Sequence, residues 1–172
     1  MDGTDFRIQE PTPFDPRWCS HKFKGPGVRH EVGICVQTGE IVWTNGPLAC
    51  GEWSDIRIAR SSLICELEEG ERALADGGYD DQGAFFETPT GLNNADQRMK
   101  AKARARHECV NRRFKQWGIL QQRFRSNPEQ HGAIFVAIAN ITNMQLLGEG
   151  LWNVENADGP FGEICYMDRI IE

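Results

Sequence analysis

The segment 31–44 reads EVGICVQTGEIVWT, and it decides the topology of the first half of the chain. Its two arms, 31–37 and 41–44, are rich in β-branched and aromatic residues, and Thr38-Gly39 lies between them. Two such runs around a short glycine-containing connection are typical of an antiparallel hairpin. The sequence therefore predicts two paired strands at this point.

Upstream of the hairpin, the segment 5–9 alternates polar and apolar residues, which is typical of a half-buried strand. Three prolines between residues 11 and 16 then require a loop, because proline fixes φ and removes a backbone donor. The basic stretch 21–27 continues this loop, and Gly25-Pro26-Gly27 is interpreted as a turn. Because only Met1 precedes Asp2, the first strand is expected to be truncated.

Downstream of the hairpin, Ser54 predicts the N-cap of a helix over 55–68, and the segment 72–75 predicts a short buried strand. A capping box at residues 94–97 opens a long helix that Gly118 closes. Asn127-Pro128 opens a last helix, which is apolar nearly all round and is therefore expected to be buried.

This order of elements predicts a mixed α/β domain. A three-strand antiparallel meander is followed by helix, strand and helix, so the sheet is expected to gain its fourth strand after the first helix. Residues 1–147 form this predicted domain, and 148–172 form an acidic C-terminal tail.

The composition describes one soluble globular domain. The chain has 172 residues, of which 40% are hydrophobic and 26% charged, and this balance argues against disorder. No apolar run approaches the roughly 18–20 residues of a membrane span, and no secretory signal is recognisable at the start. Fourteen or more residues separate each of the six cysteines from the next, which excludes a structural zinc site and favours reduced thiols.

Charge is distributed unevenly along the chain. The segment 98–125 contains ten basic residues and a single acid, Glu108, although the whole chain carries a net charge of -6. A concentrated basic block on an acidic body suggests a surface that faces a polyanion. A solvated basic helix is the alternative explanation, and charge alone leaves both open.

Three acids stand at positions where an open α/β sheet places a site. Asp2 begins the first strand, Asp76 ends the strand after the first helix, and Glu108 lies inside the basic block. The long helix is predicted to carry one apolar stripe, formed by Met99, Ala103, Val110, Phe114 and Trp117. At helical spacing Arg104, Glu108 and Lys115 fall within about 40° of one another, on a face nearly opposite this stripe. Carboxylates that converge in a basic surround suit Mg²⁺ or Mn²⁺. Turn formation by Asp76 and pairing of Glu108 along its helix are the plain alternatives.

The motifs DGTD, GEWSDIRI, LADGGYD and RARHECVNRRFK occur in the order seen in DDE transposases. The sequence most resembles the PIF/Harbinger branch and its bacterial relatives. Arg104, Glu108 and Lys115 match the R(3)E(6)K part of the C-terminal signature of that branch, whereas Ala101 replaces its usual tyrosine. The resemblance covers roughly residues 2–147 and implies an RNase H-like fold with an Asp, Asp, Glu triad.

The resemblance also implies roles for individual residues. Asp2, Asp76 and Glu108 match the catalytic triad that binds Mg²⁺ or Mn²⁺, and Asp55 matches a further acid that often accompanies it. The positions that match or resemble the DNA-binding residues of such enzymes, or lie in the same basic block, are Arg104, Lys115, Arg112, Lys22 and Lys24.

The function implied by the resemblance is metal-dependent cleavage and strand transfer of DNA. The alternative is a catalytically silent, transposase-derived module that binds DNA or protein, because the sequence carries no recognisable DNA-reading domain. A nuclease acting on RNA or on hybrid duplexes is a further alternative. DNA is the expected partner, and a separate DNA-binding protein is a further candidate partner. The sequence leaves the oligomeric state open. The expected compartment is the nucleus for a eukaryotic chain and the cytoplasm for a bacterial one.

Overall fold

The computed structural model describes residues 1–88 and 94–149. Its main sheet has four strands, and the central one pairs antiparallel with each of the other three. The strands are β1 (Asp2–Arg7), β2 (Cys19–Ser20), β3 (Gly25–Ile34) and β4 (Ile41–Ala49). The predicted hairpin is therefore confirmed, with the central strand β3 and its neighbour β4 as its arms.

Five helices follow in the described part of the chain. They are α1 (Asp55–Ser61), α2 (Leu63–Glu66), α3 (Asn94–Gln116), α4 (Gly118–Gln121) and α5 (Pro128–Glu149). The predicted starts and types of the two long helices are confirmed. The helix predicted over 55–68 is wrong in its continuity, because it breaks at Ser62. At the break, the backbone of Ser62 is not helical, and the side chain of Asn45 on β4 donates to Ser62 Oγ at 2.7 Å.

The start of β3 corrects another prediction. Gly25 to Gly27 belong to the strand and do not form a turn. Gly27 pairs with Arg7 on β1, and a Cβ at this position would lie 2.9 Å from the carbonyl oxygen of Phe6 and 2.5 Å from the Phe23 ring. The missing side chain of this glycine therefore lets the two strands approach each other.

The fourth strand of the predicted sheet pairs elsewhere. β5 (Ala73–Leu74) forms a separate parallel pair with β6 (Phe86–Glu87), and in the described residues it has no ladder with β1. A single hydrogen bond of 2.6 Å, from the nitrogen of Met1 to the carbonyl of Leu74, nevertheless holds β5 beside the start of β1. The predicted mixed α/β class is confirmed, whereas the predicted pairing of this strand is wrong.

Two apolar clusters hold the elements together. The larger one joins β1 and β3 to α3 and α5, and the predicted stripe of α3 contributes Val110 and Phe114 to it, both fully buried. The smaller one lies under α1 and α2 and includes Leu63, Tyr79 and Phe86. Asp2 therefore begins a strand that has a packed layer on each side.

The last helix, α5, is buried on one face only. Phe135 and Ile138 pack into the core, but Met144 and Leu147 are 71% and 73% exposed. The prediction of a fully buried helix is wrong, because among the described residues no element covers its outer face. The segment 150–172, most of the predicted acidic tail, lies outside the described residues. Each helix of the described chain is too short or too polar to cross a membrane.

Candidate active site

The three acids predicted as a triad line one cavity. Asp2 comes from the first position of β1, Asp76 follows β5, and Glu108 projects from α3. The cavity has a volume of about 900 Å³, and Arg104 and Arg72 also line it. The contact of β5 with the start of β1 and the packing of α3 on the sheet thus bring together acids that are far apart in sequence.

The acids do not form a closed set of metal ligands. Within residues 1–88 and 94–149, no three His, Cys, Asp or Glu side chains lie close enough together to hold an ion. The donors that line the cavity are nonetheless carboxylate oxygens, which are the ligands that Mg²⁺ and Mn²⁺ prefer. The chemistry of the donor set therefore fits a divalent cation, with the acids spread around the cavity.

Asn111, which the sequence analysis did not single out, holds Asp2, and His107 contacts Asn111 in turn. Asn111 Nδ2 donates to Asp2 Oδ2 at 3.0 Å and also to His107 Nδ1 at 3.3 Å. The other ring nitrogen of His107 donates to the carbonyl oxygen of Val32 at 2.9 Å. The spacing of four residues places both side chains on one helical face, and it is the only sequence signal that pointed to them.

Asp55 approaches the site from the first turn of α1. Its carboxylate lies against two glycines, since a Cβ on Gly3 would meet Asp55 Oδ1 at 2.3 Å and one on Gly78 would meet Oδ2 at 3.1 Å. The same point on Gly78 is 3.0 Å from Asp76 Oδ1, so the two carboxylates flank this glycine. Burial raises the pKa of Asp55, and the negative charges of Asp76 and Asp2 raise it further against the opposing effect of Arg29.

A buried ion pair supports this corner of the site. The guanidinium of Arg29 donates to both oxygens of Asp5, at 2.7 and 3.1 Å, and to Asp55 Oδ1 at 3.0 Å. Burial alone would raise the pKa of Asp5, but the hydrogen bonds from Arg29 and Ser20 outweigh it and hold that pKa below its ordinary value. Arg29 therefore fixes the position of Asp55 relative to β1.

The turn that carries Asp76 is fixed at both ends. Asp76 Oδ1 accepts a hydrogen bond of 2.8 Å from the backbone of Gly78, while the side chain itself is exposed. Tyr79 closes the turn and is completely buried beneath it. The exposed carboxylate of Asp76 is thus presented to the cavity by a short, well-anchored segment.

The predicted DNA-binding residues occupy different environments. Arg104, Arg112 and Lys115 are exposed on α3, and Arg104 also lines the cavity. Lys22 and Lys24 are exposed as well, and the ammonium of Lys22 donates to the carbonyl of Gly3 at 2.5 Å. Lys22 is therefore bound to the backbone of β1 beside the site.

Not every member of the basic block faces solvent. Arg106 and Arg113 are buried, and Arg106 donates to the backbone carbonyls of Val36 and Gln37. The turn between β3 and β4 is thereby fastened to α3. Arg106 therefore has a structural role, and net charge alone would reveal neither this role nor the burial of Arg113.

The fold and the site define an α/β domain with a carboxylate-lined cavity beside an exposed basic helix. The family described as DDE superfamily endonuclease matches residues 1–143, and the chain belongs to this family. Searches of curated proteins and of solved structures found no match. Membership of this family indicates a nuclease-type enzyme, with a function of the transposase or nuclease type, and DNA as the class of substrate.

Proposed function

We propose that this chain cleaves DNA phosphodiester bonds in a metal-dependent reaction and transfers the resulting strand, as a DDE-type transposase core. The observation that carries the proposal is the meeting of Asp2, Asp76 and Glu108 around one cavity, from three separate elements. Family membership supports the same chemistry. Within the family, the motifs favour the PIF/Harbinger branch or its bacterial relatives.

The acids would hold Mg²⁺ or Mn²⁺, with Asp55 as a neighbouring carboxylate. Such an ion, when bound, activates the attacking oxygen and stabilises charge on the phosphate. Arg104 lines the cavity together with Glu108, and this supports a contact of Arg104 with the phosphate being cleaved. Exposed Arg112, Lys115 and Lys24 would bind the DNA backbone, which gives affinity without sequence specificity.

Binding of Mn²⁺ is the first test of this proposal. Isothermal titration calorimetry of the wild-type chain should show binding, and Asp76→Asn should abolish or strongly weaken it. Asp80→Asn is the matched control, because Asp80 is an exposed acid close by in sequence that does not line the cavity. Circular dichroism of each variant shows whether the fold is intact. Absence of binding by a folded wild-type chain would contradict the proposal.

Nicking of supercoiled plasmid DNA in Mg²⁺ or Mn²⁺ is the second test. The wild-type chain should nick, whereas Asp76→Asn and Glu108→Gln should lower the rate by several orders of magnitude. DNA binding by both variants should persist in an electrophoretic shift assay. Replacing duplex DNA with an RNA–DNA hybrid tests the alternative substrate in the same assay.

A second candidate function is a catalytically silent module that binds DNA or protein. One observation favours it: the described residues contain no three side chains that already converge on a metal position. Such a module would bind DNA in a salt-dependent manner, would not nick it, and would be indifferent to Asp76→Asn. For both candidate functions we propose that a separate protein reads the target sequence and that the chain assembles into an oligomer. We place it in the nucleus of a eukaryote or in the cytoplasm of a bacterium.

A further inference from the structure

We propose that Asn111 and His107 are positioning residues that hold Asp2 in the orientation needed to bind a divalent cation. This inference rests on the proposed function, because it takes Asp2 to be a metal ligand. It assigns a role to a pair of residues on the face of α3 turned toward β1, next to Glu108.

The first argument is the continuity of the hydrogen bonds. The chain starts at a fixed point, the Val32 carbonyl in the central strand, to which His107 Nε2 donates at 2.9 Å. The proton on Nε2 leaves Nδ1 as an acceptor, and Asn111 Nδ2 donates to it at 3.3 Å. The second proton of the same amide group points to Asp2 Oδ2, 3.0 Å away. Each donor and acceptor therefore orients the next, from the backbone of β3 to the carboxylate.

The second argument is burial. His107 and Asn111 are both only 6% exposed, whereas the side chain of Asp2 is 28% exposed. Two almost completely buried polar groups thus hold a carboxylate that reaches the cavity. Ligands of this kind are commonly oriented by hydrogen bonds from buried partners behind them.

The third argument concerns the other end of the amide. In the described structure Asn111 Oδ1 is buried without a hydrogen-bond partner. An unsatisfied buried oxygen lowers the stability of the fold, so packing alone would favour an apolar side chain over this amide. Its two donor protons, in contrast, are both used on the path to Asp2. This asymmetry is the expected one for a residue whose task is to orient a carboxylate.

The hydrogen bond has a consequence for the carboxylate itself. Because Asn111 donates to Oδ2, rotation of the Asp2 carboxylate is restricted, and a cation would meet it in one orientation. Without this donor the carboxylate would be free to rotate.

The experiment compares Mn²⁺ affinity of full-length variants by calorimetry. Asn111→Leu keeps the size of the side chain and removes the donor, and it should weaken Mn²⁺ binding by roughly 10–100-fold. Its thermal unfolding midpoint should fall only modestly, because water can solvate the partly exposed Asp2. The substitution leaves His107 Nδ1 without its donor, but it also removes the unpaired Oδ1 of Asn111. Asn140→Leu is the matched control, since Asn140 is exposed on α5, and it should bind Mn²⁺ like the wild type.

Asp2→Asn separates this inference from the proposed function. Suppose that Asp2→Asn abolishes Mn²⁺ binding while Asn111→Leu binds Mn²⁺ like the wild type. Asp2 is then a metal ligand as the proposed function requires, and the positioning role of Asn111 is wrong. If the folded wild type binds no Mn²⁺, both proposals are wrong. A variant that keeps an amide donor at this position gives a further test: Asn111→Gln should recover part of the Mn²⁺ affinity that Asn111→Leu loses.

A measurement on the wild-type chain covers the case in which the variants fail to fold. In a ¹H–¹⁵N spectrum of asparagine-labelled protein, the side-chain amide of Asn111 should shift when Mg²⁺ is added. The shift is expected because the same carboxylate would then share its charge between the amide and the cation. Saturation of the site with Mg²⁺ without any change in this amide would overturn the inference.

Discussion

His30 on β3 and His131 on α5 are joined by a hydrogen bond of 2.9 Å between Nε2 and Nδ1. Both rings are buried and stack on each other. The His30 ring also stacks on Phe135, and Phe6 contacts both histidine rings at an angle. Burial lowers the pKa of His131 to about 4. Burial and the neighbouring His131 ring lower the pKa of His30 well below its ordinary value. The contact between sheet and helix therefore depends on two neutral imidazoles.

This pair predicts acid sensitivity of the fold. Above about pH 6.5, the pKa of histidine in the unfolded chain, both rings are neutral in the folded and in the unfolded state. In this range the buried pair contributes fully to the stability of the fold. As the pH falls from 6.5 toward 4, the unfolded chain binds protons that the folded chain excludes, so the free energy of unfolding falls. For His131 the loss is on the order of 3 kcal/mol. Urea unfolding at several pH values in this window measures it.

The double variant His30→Phe/His131→Phe tests the origin of that slope. Its stability should depend less on pH than that of the wild type, although buried His107, whose pKa is lowered by burial, leaves a residual slope. His21→Phe is the control, since His21 is exposed. An unchanged slope in the double variant would assign the acid sensitivity to other groups.

Loss of the buried ion pair should be strongly destabilising. Arg29→Met leaves Asp5 buried without its partner, and this change should cost about 3–5 kcal/mol in chemical unfolding. Arg17→Met removes an exposed pair of similar geometry with Asp15 and should leave the unfolding midpoint nearly unchanged. Equal effects of the two substitutions would show that burial is not what makes the Arg29 pair important.

A methyl group on Gly3 should displace Asp55. The added Cβ in Gly3→Ala would lie 2.3 Å from Asp55 Oδ1, so either the carboxylate or the strand has to shift. Overpacking of this kind typically costs about 1–3 kcal/mol. Much of the loss should disappear in the background Asp55→Ala, which removes the clash. A double-mutant cycle measures this coupling, and additive effects would exclude it.

The exposed basic residues of α3 should set the salt dependence of DNA binding. Lys115→Ala should weaken binding to all sequences alike and should reduce the slope of log affinity against log salt by about 1. Arg57→Ala removes an exposed arginine of α1 whose side chain already donates to the carbonyl of Glu52. Fluorescence anisotropy over a range of salt concentrations compares the two. If Arg57→Ala reduced the slope as much as Lys115→Ala does, the DNA would not lie specifically along α3.

Local sequence patterns predicted the elements of this domain well. The hairpin, the start of both long helices and the burial of Val110 and Phe114 depend on turn chemistry, capping and periodicity, which act within a few residues. The order of the motifs also predicted the family. For the hairpin and the helices, the deciding interactions lie close together along the chain.

Features that depend on neighbours distant in sequence were predicted poorly. The contact of Ser62 with Asn45 on β4 and the exposed face of α5 both involve elements that are far apart in sequence. The contact of His107 with the central strand and with Asn111 was not predicted, because it is visible only when the sheet lies beside α3. Helical periodicity gives the face of a residue but not the element that this face meets.

The sequence by itself determined which residue types lie in which element, and it marked Asp2, Asp76 and Glu108 as a set. Only the tertiary structure decided how their carboxylates are held. Asn111 meets Asp2 across 109 positions of sequence, and Gly78 lies between Asp55 and Asp76. The physical reason is that local propensity acts along the chain, whereas the orientation of a carboxylate depends on donors and charges brought near by packing.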